Sequence, residues 1–172
     1  NMKLTSPKFG DAEIENLRSC LNSGWVTQGS LTAKFEQKVA ERHCVKYALA
    51  TTSCTAALHL AALALELDAG DEVIVPAFTW ITSANCAEYV GARVVFADID
   101  PNTYNLDPAA FEAAITTRTR AVVVAHLFGL SAEMDTILAI AQARNIALIE
   151  DAACAIGTTY KGVPVGAFGK AG

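Results

Sequence analysis

Asp151 stands directly after the run Ile146-Ala147-Leu148-Ile149-Glu150 and ahead of Ala152-Ala153-Cys154. The carboxyl end of a buried parallel strand is where open α/β sheets place their ligands. A carboxylate there can pair with a protonated ring nitrogen, keeping the ring electron-poor enough to take up the electrons of a substrate carbanion. Acidic residues at strand ends also bind Mg²⁺, orient water or cap the next helix, and these readings stand beside the first.

A second segment sits at the same kind of junction far upstream. Thr51-Thr52-Ser53-Cys54-Thr55-Ala56-Ala57-Leu58 leads from an extended stretch into an Ala/Leu-rich helix. The N–H groups of a helix start lack intrahelical acceptors and the dipole there is positive, so a phosphate is held well. Ser53 or Thr55 would equally cap the helix with no ligand at all. Trp80 follows Val73-Ile74-Val75-Pro76-Ala77-Phe78-Thr79 and could lie flat on a planar cofactor. Core packing is the plainer reading for it, and for Phe78. His126, in Val124-Ala125-His126-Leu127-Phe128-Gly129, fits a hydrogen-bonded structural role, while His43 and His59 read as surface and helix-face residues. Nothing matches GxGxxG or GxxxxGK[ST], and no two histidines have metal-ligand spacing, so no metal site is expected.

The elements that must hold these residues alternate strand and helix. Strands are expected at 47–51, 72–75, 93–97, 121–125 and 147–150, with helices at 11–22, 32–41, 56–67, 81–89, 108–114 and 135–144. The strands are continuous in Val, Ile and Ala rather than alternating, which predicts a parallel sheet covered on both faces. In the first two helices Ile14, Leu17 and Leu21, then Phe35 and Val39, have the spacing of an inward face, and Gly24 marks a helix stop. Tyr160-Lys161-Gly162-Val163 reads as a tight hairpin. The fold class is α/β, a mostly parallel sheet flanked by helices.

With 172 residues, 52% of them apolar, the chain can bury a sizeable core. Its net charge of −5, with scattered Lys and Arg, argues against nucleic-acid binding. No apolar run has membrane-span length, and Asn1-Met2-Lys3-Leu4-Thr5 has no signal-peptide core. Cys20, Cys44, Cys54, Cys86 and Cys154 form an odd set without CxxC spacing, which is expected of a reduced, cytoplasmic protein with mostly buried thiols.

Taken together, several segments in order resemble the DegT/StrS family of pyridoxal-phosphate-dependent nucleotide-sugar aminotransferases. They are Ser23-Gly24-Trp25-Val26-Thr27-Gln28-Gly29, Ser53-Cys54-Thr55-Ala56-Ala57-Leu58, and Gly70-Asp71-Glu72-Val73-Ile74-Val75-Pro76-Ala77-Phe78-Thr79-Trp80. Asp98-Ile99-Asp100-Pro101, His126-Leu127-Phe128-Gly129 and Glu150-Asp151-Ala152-Ala153 complete the set. The resemblance implies pyridoxal 5′-phosphate as cofactor on an aspartate-aminotransferase-like (fold type I) large domain. Its phosphate would lie in the Ser53-Cys54-Thr55 cradle, held by Cys54 and Thr55. Trp80 would stack on the ring and Asp151 would pair with its nitrogen. Cys154 occupies a place where the family usually carries Gln or His toward the ring hydroxyl, and Cys54 a place where Gly is commoner.

Thr27 and Gln28 match a loop near the substrate and the neighbouring subunit of a homodimer. Residues 1–30 would be an N-terminal helix and this loop, and 31–172 the N-terminal part of the large domain. The Schiff-base lysine of the family lies shortly beyond the segment matching Val165 to Gly172, so Lys170 is not that residue and no catalytic residue is expected within this chain. The implied reaction moves an amino group, from glutamate, to a nucleotide-linked keto sugar. A sugar 3-dehydratase of the same family, with histidine in the lysine position, is the nearest rival. A non-catalytic protein that kept the cofactor cradle, or an α/β domain of unrelated function, would be further ones.

Overall fold

Four of the five expected strands form, and all four are parallel in the order β2-β1-β3-β4. They are β1 (Glu72–Pro76), β2 (Arg93–Ala97), β3 (Thr119–Ala125) and β4 (Ala147–Asp151). The helices are α1 (Asp11–Asn22), α2 (Ser30–His43), α3 (Cys54–Ala64), α4 (Thr82–Glu88), α5 (Pro108–Ala114) and α6 (Met134–Ala143). The computed structural model describes residues 6–172; the first five, on which the absence of a signal-peptide core was read, lie outside the described residues.

The pleat sends successive side chains to opposite faces, and two cores result. Val73, Val75, Ala121, Val123 and Ile149 meet Leu58 and Ala62 of α3 and Ala84 and Ala87 of α4. Ile74, Val122, Val124 and Leu148 meet Phe111 of α5 and Met134, Ile137 and Ala141 of α6. Burial on both faces is why these strands read as unbroken apolar runs.

Local chemistry fixes the helix ends. Ser53 Oγ accepts the Ala56 N–H at 3.2 Å to open α3, and Asp107 caps α5 with Pro108 next to it. The helix expected to run to residue 67 ends at Ala64, because Glu66 turns to φ 55° and the Leu67 N–H returns to the Ala62 carbonyl. The expected hairpin is present as β5 (Thr159–Tyr160) paired antiparallel with β6 (Val163–Pro164), turning at Lys161 and Gly162, both with positive φ.

Several expectations fail. Residues 47–51 are extended but unpaired, with Tyr47 and Leu49 exposed, because the outer edge of β4 bonds instead to Lys170 and Ala171. The apolar stripes of α1 and α2 are not buried: Ile14, Leu17, Leu21 and Phe35 are exposed, and Phe35 and Val39 border an apolar groove of about 400 Å³. Of the five thiols, all free, only Cys86 is buried. Phe78 is also half exposed, resting against the Tyr104 ring at 5.7 Å. Among the described residues no helix is long and apolar enough to cross a membrane, and no group of His, Cys, Asp and Glu is arranged to hold a metal.

Candidate functional site

From β1 the chain turns toward β2, and from β3 it turns the other way toward β4, so the sheet has its switch point between β1 and β3. A crevice opens at such a point beyond the carboxyl ends of the strands. The cleft there has a volume of about 290 Å³, and its walls include Cys54, Thr55, Trp80, His126, Asp151 and Cys154.

Asp151 enters it by parity. It shares the Ile149 face of β4, which looks toward α3 and α4, and it meets residues from both helices. Ser83 of α4 donates to Oδ2 at 2.7 Å, the Ala153 N–H reaches Oδ1 at 3.3 Å, and the Cys54 thiol lies 3.6 Å from Oδ1. Desolvation first, then the Asp151 charge, pushes the Cys54 thiol up to about 11, so at neutral pH it stays protonated and donates to that carboxylate.

Cys54 and Thr55 are the first residues of α3, whose opening N–H groups have no acceptor within the helix. One wall of the cleft therefore attracts an anion and another presents a carboxylate, while Trp80, three-quarters exposed, offers an aromatic face. That donor set suits a planar ligand with an anionic group and a cationic ring nitrogen.

Glu150, the preceding residue, is set apart from Asp151 by the pleat. Its carboxylate accepts from the N–H groups of Gly166 (2.7 Å), Phe168 (2.6 Å) and Gly169 (2.8 Å), and from His126 Nε2 at 3.0 Å. Burial pushes its pKa up, but His126 and the three backbone donors outweigh this and hold it below the ordinary value. His126 Nδ1 accepts the Ala132 N–H at 3.2 Å, which leaves the proton on Nε2. His126 is thus hydrogen-bonded through both ring nitrogens, and it also borders the cleft. Asn105, 2% exposed, then clasps the turn after β3: its Oδ1 accepts from Leu127 N–H and its Nδ2 donates to the Leu130 carbonyl, both at 3.0 Å.

Five of the expected site residues, Cys54, Thr55, Trp80, Asp151 and Cys154, therefore border one cleft. Ser53 is the cap beneath it rather than a wall. Thr27 and Gln28 are exposed in the loop between α1 and α2, which Trp25 Nε1 steadies through the Gln28 carbonyl at 2.6 Å, and they do not line the cleft. The sequence reading passed over Thr79, Ser83, Glu150 and Asn105. A faint signal existed for the first two, since both are small hydroxyl residues in the turn from β1 into α4, just beyond a strand end.

Residues 7–172 match the DegT/DnrJ/EryC1/StrS aminotransferase family. The chain is 46% identical over 165 residues to the spore coat polysaccharide biosynthesis protein SpsC of Bacillus subtilis, covering 96% of this chain and 42% of that protein. It is 42% identical over 169 residues to the GDP-perosamine synthase of Caulobacter vibrioides, covering 98% and 46%. The E. coli GDP-4-keto-6-deoxy-D-mannose-3-dehydratase, solved with bound hydrated pyridoxal phosphate, superposes with a TM-score of 0.93 at 34% identity, covering 98% of this chain and 45% of that one. The chain thus spans less than half the length of the curated relatives it matches.

Proposed function

This chain belongs to the DegT/DnrJ/EryC1/StrS aminotransferase family, and on that footing we propose that it forms the cofactor-binding part of a pyridoxal-phosphate enzyme aminating a nucleotide-linked keto sugar. Its fold is the aspartate-aminotransferase-like large domain, a parallel sheet flanked by helices. We assign residues 31–172 to the N-terminal part of that domain and 1–30 to a helix and loop facing substrate and a second subunit. The amino donor is glutamate. The exposed apolar faces of α1 and α2 support a homodimer, and five free thiols support a cytoplasmic setting.

The observation that carries the proposal is the convergence of the α3 N-terminus, Trp80 and Asp151 on one cleft. The N–H groups at Cys54 and Thr55, with the Thr55 hydroxyl, hold the phosphate; Ser53 shapes that turn. Trp80 covers the ring and excludes water from it. Asp151 pairs with the ring nitrogen and keeps a proton there. Cys154, which borders the same cleft, would be the soft partner for the ring hydroxyl in place of an amide or imidazole. Bound in this way, the cofactor supplies an electron-poor ring that accepts the electrons released when a substrate C–H bond breaks.

The likeness to a dehydratase favours one second reading, elimination of a sugar hydroxyl. Incubating the full-length protein with pyridoxal phosphate, glutamate and a GDP-linked 4-keto-6-deoxy sugar separates them. Mass spectrometry of the nucleotide product is expected to show an amine in place of the keto oxygen. Loss of a hydroxyl would assign the protein to dehydration. Bound cofactor without turnover would leave a cofactor-binding protein that does no chemistry.

A further inference from the structure

We propose that Ser83 is a positioning residue, the second member of a directional hydroxyl chain from Thr79 that fixes the Asp151 carboxylate for a protonated ring nitrogen. This rests on the cofactor reading above and deepens it by naming what aims its charge partner. Ser83 is fully buried on α4, with its Oγ 2.7 Å from Asp151 Oδ2 and 3.1 Å from Thr79 Oγ1.

The direction of each bond follows from proton counting. An ionised carboxylate has no proton to give, so Ser83 donates to Asp151. A hydroxyl has one proton, so the contact between Thr79 and Ser83 is made with the Thr79 proton. A serine inside a helix commonly spends its hydroxyl on a backbone carbonyl of the preceding turn. Here, among the described residues, the partners of the Ser83 hydroxyl are two side chains of the cleft region. Asp151 is thereby tethered at both oxygens from different elements, Oδ2 from α4 and Oδ1 from the Ala153 N–H beyond β4.

The other titratable groups facing Asp151 do not replace this tether. Cys54 of α3 and Cys86 of α4 are both pushed up to about 11, burial being the largest cause in each; Cys54 adds only a weak thiol donor at Oδ1, 3.6 Å away, and leaves Oδ2 to Ser83. Cys154 borders the cleft three residues beyond the end of β4, and the His126 Nε2 proton is committed to Glu150. Among the described residues Ser83 is the one neutral hydroxyl bonded to the carboxylate. Without it only the Oδ1 contacts remain, and a carboxylate free to turn about them is a misaimed partner that holds a ring proton less well.

The test uses the full-length protein reconstituted with pyridoxal 5′-phosphate labelled with ¹⁵N at the ring nitrogen. In the wild type the ¹⁵N resonance at pH 7.5 is expected in the pyridinium range, and D151N is expected to move it to the neutral pyridine range. Ser83→Ala is expected to move it part of the way. It should also raise the cofactor dissociation constant about tenfold and slow single-turnover consumption of glutamate by about the same factor. Ser83→Thr, which keeps the hydroxyl, should restore all three. If S83A is too unstable to isolate, S83C keeps the shape with a weaker donor and carries the same expectation in smaller measure. A wild-type ¹⁵N position in S83A or S83C, or losses that track a lowered Tm and are not rescued by S83T, overturns the proposal. A wild-type protein with no pyridinium signal overturns the cofactor reading as well, so the two failures are told apart.

Discussion

Two neighbouring carboxylates on β4 have different work because the pleat turns them to different faces. Asp151 borders the cleft, whereas Glu150 gathers three backbone N–H groups of residues 166–169 and the His126 ring. Replacing Glu150 with Gln puts an amide N–H₂ among donors that need an acceptor. E150Q is therefore expected to lose about 3 kcal/mol of unfolding free energy at pH 7, read from urea titrations. The pH dependence has a definite sign. A carboxyl held below its ordinary value contributes its full stabilisation at neutral pH, and that contribution drains away as pH falls below about 4.5 and through the lower native value. Titrations at pH 7 and pH 4 should show the wild type converging on E150Q in acid. An unchanged gap between them would mean that Glu150 is held by shape and not by charge.

The elements that matter most to the cleft are held by single side chains at their ends. Ser53 opens α3 and so sets where the unpaired N–H groups of Cys54 and Thr55 point. Ser53→Ala should cost about 1 kcal/mol, seen as a lowered Tm, together with weaker cofactor binding in the full-length protein. Loss of stability with unchanged cofactor affinity would make Ser53 a cap alone. Asn105 bridges the turn after β3, where Phe128 adopts φ 54°. Asn105→Ala leaves the Leu127 N–H and the Leu130 carbonyl without their partner, and about 2 kcal/mol of destabilisation is expected. Hydrogen exchange should speed up at the Leu127 amide specifically. Residues 47–51 show the limit of reading elements one at a time. Their composition suits a strand, yet a strand exists only through a neighbour, and the outer edge of β4 bonds to Lys170 and Ala171.

At the scale of the molecule, the cleft is a place where distant segments meet. Cys54 and Asp151 are 97 positions apart and Ser83 and Asp151 are 68 apart, yet their side chains touch. Among the described residues no lysine lines the cleft; Lys170 borders other surfaces beside β4. A polypeptide of residues 1–172 alone is therefore expected to give no transamination of glutamate with added pyridoxal phosphate. Keto-acid formation above the protein-free rate would contradict that.

Much of this was legible in the residues themselves. Unbroken Val/Ile runs separated by helical spacing specify a doubly covered parallel sheet, because such strands must be buried on both faces. Asp151 and Thr55 could be named as candidates because strand ends and helix starts are the places in such a sheet where polar groups remain unpaired, whereas Trp80, more plainly read as core, is exposed beside the cleft. The tertiary structure alone decided the rest. Which face of β4 each carboxylate takes, that Ser83 and Thr79 aim one of them, and that Glu150 and Asn105 hold loops far away in sequence are all long-range pairings. A hydroxyl or amide carries no mark of its partner in the chain, since its bond is chosen only when packing brings an unsatisfied group within 3 Å or so.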